Sequence, residues 1–278
     1  MEIIIFTILL FAGAICAGFL GALTGLGGGI VIVPLLTVVF GVDIKYAIGA
    51  SLVSVIATSS GAASAYVKEG FSNMRIGMFL EMATTVGAIA GAAIALILNA
   101  SVIAVIFGIV LLYSAYMSNK SKNDPLSGIE PDPLATRLKM NSSYPTTEGE
   151  KAYNVRKVPL GFSIMFVAGV LSGLLGIGSG AVKVLAMDNV MKIPFKVSTA
   201  TSNFMIGVTA AASAGIYLHE GYVAPGIVMP VMLGVLIGST IGAKLLFGTN
   251  TKKLRLVFTL IILALGIEMV YSGFMGNL

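Results

Sequence analysis

Two glycine-rich stretches interrupt long apolar runs at matched positions, Gly25-Leu26-Gly27-Gly28-Gly29 and Gly176-Ile177-Gly178-Ser179-Gly180. They lie 151 residues apart. Glycine accepts positive φ and lets another backbone come close, so each stretch is a place where a helix breaks. A break frees N–H and C=O groups. Inside a bilayer these are tolerated only against protein or beside a wet cavity. The chain must therefore fold so that both breaks are enclosed.

The flanking sequence makes the bilayer the relevant solvent. Of 278 residues, 57% are hydrophobic and 10% charged, against about 25% charged in a soluble domain. Apolar runs occupy 3–23, 48–66, 76–98, 102–117, 160–175, 204–218, 227–247 and 256–274. Several approach the ~20 residues that cross a hydrocarbon core. An all-α, multi-pass protein of the lipid bilayer is predicted. The first run has Glu2 as its only early charge and no basic n-region, so it reads as a retained helix rather than a signal peptide. The single cysteine, Cys16, leaves no internal disulfide and reads as a small core residue. The net charge of +5 comes from basic residues placed mostly in loops, where they set topology rather than bind nucleic acid.

The chain is duplicated. Shifted by 151 without gaps, 21 of the 77 positions from Gly18 to Ile94 are identical, including Ser51/Ser202, Thr58/Thr209 and Gly87/Gly238. Each half reads as an apolar helix, a glycine break, a short apolar segment and three long helices. The halves are 1–118 and 159–278. Between them, 119–158 is polar and carries Pro125, Pro131, Pro133 and Pro145, which predicts a flexible cytoplasmic connector rather than a folded unit or a regulator site.

Loop charge sets the direction of the chain. The short segments, 30–40 and 181–191, are too short to span a bilayer. If each break turns the chain back as a hairpin, Lys68, Arg75, Lys120, Lys122, Arg137, Lys139, Lys151, Arg156, Lys157, Lys192, Lys196, Lys252, Lys253 and Arg255 fall on one side and Lys45 alone on the other. If the chain runs straight on, the split is 9 against 6. The positive-inside rule selects the hairpin. The repeats are then inverted, with the connector in the cytoplasm and both termini outside.

Matched interrupted helices in two halves point to a substrate site near the bilayer midplane. The short segments are expected to begin helices at Gly29 and Gly180, whose first N–H groups lack partners and carry the positive end of the dipole. Such ends suit an anion. The candidate site comprises Gly25, Gly27, Gly28, Gly29, Gly176, Gly178, Ser179 and Gly180. To these are added the donors that open the following helix in each half: Ser51, Thr201, Ser202 and Asn203. Those four also read as helix caps or interhelical bonds. The Gly87–Gly91 and Gly238–Gly242 spacings read as helix packing.

At these residues the chain resembles the TauE/SafE family, the sulfite-exporter (TSUP) family of membrane proteins. The resemblance rests on Gly25-Leu26-Gly27-Gly28-Gly29 followed by Pro34, on Gly49-Ala50-Ser51-Leu52, and on their second-half counterparts. It covers roughly 10–118 and 160–275. It implies a transporter of small sulfur-containing anions: sulfite, thiosulfate or an organosulfonate such as sulfoacetate. The second half departs from the pattern, with Ser179 for a glycine, Leu185 in the place of Pro34, and Lys183 where an apolar residue is usual.

Lys183 is the sharpest single residue. It follows Gly180 by three positions, its counterpart is Ile32, and a lysine at membrane depth is costly and usually functional. It is expected to pair with the anion. Asp188 is placed nearer the cytoplasmic mouth, and Lys244 is read as snorkelling. Glu81, inside a long helix and opposite Met232 in the alignment, and Glu268 are the candidates for a coupling proton. His219 reads as a solvated helix end. One His and one Cys supply no zinc site and no Cys–His pair, so neither an enzyme nor a bound metal or cofactor is expected. The function predicted is a secondary carrier working by alternating access, coupled to a proton or sodium ion. The alternatives are an anion channel of the same architecture and a carrier for a non-sulfur anion. A homo-oligomer is compatible with either.

Overall fold

A computed structural model describes residues 2–24, 28–68, 71–118, 132–146, 149–246 and 251–276. In the first half, α1 (Glu2–Thr24) precedes the break. Next comes α2 (Gly29–Pro34), which continues as a π-helical turn over Leu35–Val39. Three long helices follow: α3 (Ile44–Lys68), α4 (Met74–Ile97) and α5 (Ala100–Ser118). After a short α6 (Pro133–Arg137) and the strands β1 (Ser142–Thr146) and β2 (Gly149–Tyr153), the second half repeats the order. It runs through α7 (Val158–Leu175), α8 (Gly180–Leu185) with a π turn over Ala186–Val190, α9 (Phe195–His219), α10 (Pro225–Leu246) and α11 (Thr251–Met275). Among the described residues the protein is all-α apart from one hairpin. Among them three helices contain apolar spans long enough to cross a membrane, Ile4–Gly21, Met74–Ile97 and Val158–Leu175.

Each short helix folds back along the helix before it. Phe40 ends the first π turn edge-on to Phe6, ring centroids 5.9 Å apart, and Gly13 faces Leu35 and Phe40. In the second half the Met191 sulfur lies against Gly161, and Arg156 N–H donates to the Met191 carbonyl at 3.0 Å. Both π turns sit at equivalent positions. Such wide turns inside helices often mark functional sites.

The long helices pair across the two halves. In the first pairing α1 packs on α10 and α4 on α7; in the second α3 meets α9 and α5 meets α11. Glycines make these contacts close. A β-carbon on Gly87 would overlap the Phe166 carbonyl, and one on Gly238 the Ile15 carbonyl. One on Gly169 would meet the Thr84 carbonyl, and one on Gly18 the Val235 carbonyl. Each of these pairs maps onto its mate by the same 151-residue shift. The cation–ring contacts do so too: Lys45 lies 5.7 Å from the Tyr222 centroid and Lys196 lies 6.0 Å from that of Phe71. α3 and α9 run in opposite directions, since Gly49 faces Tyr222 while Gly207 faces the Ser59 hydroxyl. α5 and α11 are likewise opposed, with Gly273 against Ser101 and Gly266 against Leu111.

The described part of the connector forms a short helix and a hairpin packed against the helices. Asp132 caps two helices at once: Oδ1 accepts from Leu134 N–H at 2.8 Å, and Oδ2 from Val158 N–H at 3.1 Å. Asn141 Oδ1 accepts from Val155 N–H at 2.9 Å, which closes the base of the hairpin. Ala135, Met140, Tyr144 and Tyr153 then join a hydrophobic cluster with Ile76, Leu80, Met187 and Met191. Composition read this stretch as too polar to fold alone. It does not fold alone: its few apolar residues complete a core supplied by the ends of α4, α7 and the second π turn.

Candidate functional site

The end of the first break, Gly28–Gly29, meets the second break in the interior between α3 and α9. Ser51 Oγ on α3 donates to the Gly176 carbonyl at 2.7 Å. A β-carbon on Gly29 would stand 2.9 Å from both the Gly176 oxygen and Ser51 Oγ, so only glycine lets the start of α2 reach the second break. Gly178 faces Val55 of α3 and Ile206 of α9, and Ser202 Oγ leans toward the Gly180 carbonyl at 3.4 Å. Ser51 and Ser202 thus spend their protons on the second break's own carbonyls.

The breaks differ in conformation as they do in sequence. Gly176, Gly178 and Ser179 take φ of +69°, +67° and +45°, whereas Gly28, the counterpart of Ser179, has φ −66°. A non-glycine residue in the left-handed region costs about 1–2 kcal/mol. Ser179 is buried, and its hydroxyl has no hydrogen-bond partner, as is also true of Ser172 on α7. Strain combined with an unsatisfied buried hydroxyl is what a ligand-facing position looks like.

One turn beyond Ser179, Lys183 is fully buried, and a polar cluster bridges three helices around it. Its Nζ donates to Thr209 Oγ1 on α9 at 2.5 Å. Thr209 Oγ1 lies 2.7 Å from Glu81 Oε1 on α4 and 2.9 Å from the Met205 carbonyl, and its single proton serves one of these at a time. Thr85 also donates to Glu81 Oε1, at 3.1 Å. Glu81 Oε2 lies 4.0 Å from Lys183 Nζ and accepts no hydrogen bond. Glu81 itself is 7% exposed. The cation therefore meets its counter-ion through a threonine hydroxyl as well as directly. The positions related by the repeat are Ile32, Thr58 and Met232, and there Thr58 bonds back to Ser54 and Val55 of its own helix.

The other sequence candidates lie elsewhere. Thr201 Oγ1 accepts from Asn73 N–H at 3.0 Å, at the start of α9. Asn203 is partly buried two residues on. Glu268 is on an exposed face of α11 and accepts from Ser272 at 3.1 Å. Asp188 is buried in the second π turn and His219 is exposed at the end of α9. Cys16 is exposed on α1, not a core residue. Gly25, Gly27 and the Lys244 side chain lie outside the described residues. Sequence reasoning missed Thr209 as the bridging group. Its only signal was its identity with Thr58 across the repeat.

Apolar helices long enough to cross a membrane, folded around broken helices and a buried charged cluster, define a multi-pass membrane protein of the transporter class. The chain belongs to the sulfite exporter TauE/SafE family, whose sequence profile matches residues 10–269. It is 30% identical over 276 residues to the "Probable membrane transporter protein YunE" of Bacillus subtilis, covering 96% of this chain and 98% of that one. It is 29% identical over 238 residues to YdhB of the same organism, described in the same words, covering 85% and 87%. A further relative so described, from Methanocaldococcus jannaschii, is 26% identical over 287 residues, covering 97% of each chain. No solved structure matches the chain. The protein is a membrane transporter.

Proposed function

We propose that the protein is a secondary carrier for a small sulfur-containing anion, working by alternating access between inverted repeats. The observation that carries the anion is the fully buried Lys183, one turn after Ser179, whose buried hydroxyl has no hydrogen-bond partner and whose backbone is strained. A lysine at that depth is rare and marks a substrate or ion path. Sulfur chemistry comes from the family's description; the geometry speaks for an oxyanion. The proposed ligand set is Lys183, Ser179 and the backbone of Gly28, Gly29, Gly176, Gly178 and Gly180.

Inversion is supported by the opposed run of equivalent helices, α3 against α9 and α5 against α11, because tandem repeats would run them in the same sense. The return of each short helix along its predecessor agrees with the hairpin reading of loop charge. The connector then faces the cytoplasm and both termini face out. Rocking of one half on the other about the glycine-lined contacts would expose the site to each side in turn.

The test is a thermal-shift series on purified protein with thiosulfate, sulfite, sulfoacetate, taurine, sulfate and carboxylates, followed by flux in proteoliposomes. Saturable flux of a stabilising sulfur anion, with affinity lost in Lys183→Met, is expected. Stabilisation by carboxylates alone would move the reading to a non-sulfur anion, and ohmic single-channel currents would replace the carrier with a channel.

A further inference from the structure

We propose that Glu81 is an internal stand-in for the transported anion, so that each anion taking Lys183 enters with one proton on Glu81. The proposal rests on the anion-carrier reading above and specifies how that carrier is driven.

The cluster has one cation and one carboxylate, and it is buried. In that state Lys183 is already neutralised. An arriving anion adds a second negative charge beside a single buried ammonium, and a buried site does not hold an unpaired charge. The least costly remedy is a proton on the carboxylate. Glu81 is built to take one. Oε1 accepts from Thr85 and from Thr209, whereas Oε2 has no donor and faces Lys183 across 4.0 Å. When the anion draws Lys183 away, Oε2 receives the proton. Thr209 lets the exchange happen without exposing a bare charge. Its hydroxyl accepts from Lys183 and donates to Glu81, and when the ammonium leaves it keeps either Oε1 or the Met205 carbonyl as acceptor.

Other charges near Glu81 do not substitute for this pair. α7 packs along α4 and brings no titratable side chain. α9 brings Thr209 at the level of Glu81; its Lys196 is at its start against Phe71, and its Tyr217 and His219 are at the far end. The α8 segment brings Lys183, and its π turn brings Asp188. Arg75, at the exposed start of α4, donates to the Lys139 carbonyl, and Tyr144 and Tyr153 lie in the connector cluster beyond Leu80. The apolar twin, Ile32 and Met232, confines the device to the second break.

In chemical terms no bond other than O–H changes. A solvent proton joins Glu81 Oε2 as the anion binds and leaves as the anion is released on the other side. For a monoanion the cycle carries no net charge.

Methanesulfonate, the simplest organosulfonate, is a suitable probe because it stays a monoanion around neutral pH. Detergent-purified protein in weak buffer is mixed with methanesulfonate, with a pH indicator reporting proton uptake and calorimetry giving Kd across a pH series. The expected result is one proton taken up per anion bound, and a Kd that rises about tenfold per pH unit where Glu81 is ionised in the free protein. Difference infrared spectra locate that proton, because the carbonyl stretch of a protonated carboxyl that appears on anion binding in the wild type is absent from Glu81→Gln. Binding without proton uptake by the wild type overturns the coupling and leaves the carrier reading standing. So does proton uptake with no protonated-carboxyl band in the wild type. If Glu81→Gln does not fold, the wild-type stoichiometry decides. If neither methanesulfonate nor any sulfur anion of the thermal-shift series binds, the carrier reading falls and this proposal with it.

Discussion

Replacing Lys183 and Glu81 singly and together separates a mutually dependent buried pair from two independent polar residues. Removing one member of a buried ion pair costs about 3–5 kcal/mol, because the other is left charged without a partner. The value at this site belongs near the lower end, about 3 kcal/mol, since an abandoned Glu81 can take up a proton and an abandoned Lys183 can lose one. The structure supplies the right apolar replacements. At the twin positions Ile32 is fully buried and Met232 partly so, so Lys183→Ile and Glu81→Met reproduce a packing that the chain already uses. Each single variant should lose about 3 kcal/mol, and the double variant should return to within about 1 kcal/mol of the wild type or exceed it. The assay is reversible unfolding in mixed micelles, or the unfolding midpoint by intrinsic tyrosine signal where reversibility fails. Additive losses, with the double variant as poor as the two singles summed, would show that the residues do not depend on each other and refute the pairing. The stable double variant should also fail to bind any anion, which separates folding from function in one molecule.

Gly169→Leu places a side chain on the Thr84 carbonyl and should cost more than about 3 kcal/mol or block folding, while Gly215→Ala, where nothing lies within 4 Å, should be neutral or stabilising; thermal unfolding in detergent compares them. Asn73→Ala removes the cap of α4 together with its bonds to the Met140 carbonyl (2.9 Å) and the Tyr153 hydroxyl (2.7 Å), so it should destabilise by about 2 kcal/mol and speed amide exchange over 140–153. Burial holds the Tyr153 phenol above its ordinary value of 10.0; the folded state keeps that proton better than the unfolded chain does, so the contribution is complete below pH 10.0 and is lost as pH rises through the folded value. Tyr153→Phe should remove this alkaline component, read as the pH dependence of connector exchange. In a Cys16→Ser background, Lys139→Cys should react with an impermeant thiol reagent only from the cytoplasm and Asp43→Cys only from outside; the reverse pattern would invert the topology.

The order of elements was legible because the duplication wrote it twice. Gaps, short segments and long helices recur at a constant spacing, and loop charge chose the fold-back that Phe6 and Phe40 display. Partners across the halves were not legible. Gly87 and Gly238 announced close contacts, but nothing in their spacing names Phe166 or Ile15 as the residue met. The connector was misread for a physical reason. Composition scores a segment by what it can bury on its own, whereas Met140, Tyr144 and Tyr153 bury themselves in a core that other helices supply. Ser51 and Ser202 read in the sequence equally as donors to a ligand and as interhelical bonds. The acceptors in reach turned out to be the carbonyls that the break itself had orphaned.

Lys183 and Glu81 were each singled out by cost, as ionisable groups in an apolar run, and assigned separate tasks. Their separation of 102 residues hides that α8 and α4 both lie against α9 at Thr209. The repeat contains the clue in negative form. Both residues depart from their twins, Ile32 and Met232, while the threonine between them does not. A charge introduced alone into a duplicated apolar core is destabilising, so either change by itself would be selected against. Two departures that complement each other in sign, at positions a shared threonine can bridge, are what remains when the pair is tolerated only together. In the proposed carrier the scaffold common to the two halves supplies shape and motion. The divergence between them supplies its chemistry, which that proposal puts at the second break alone.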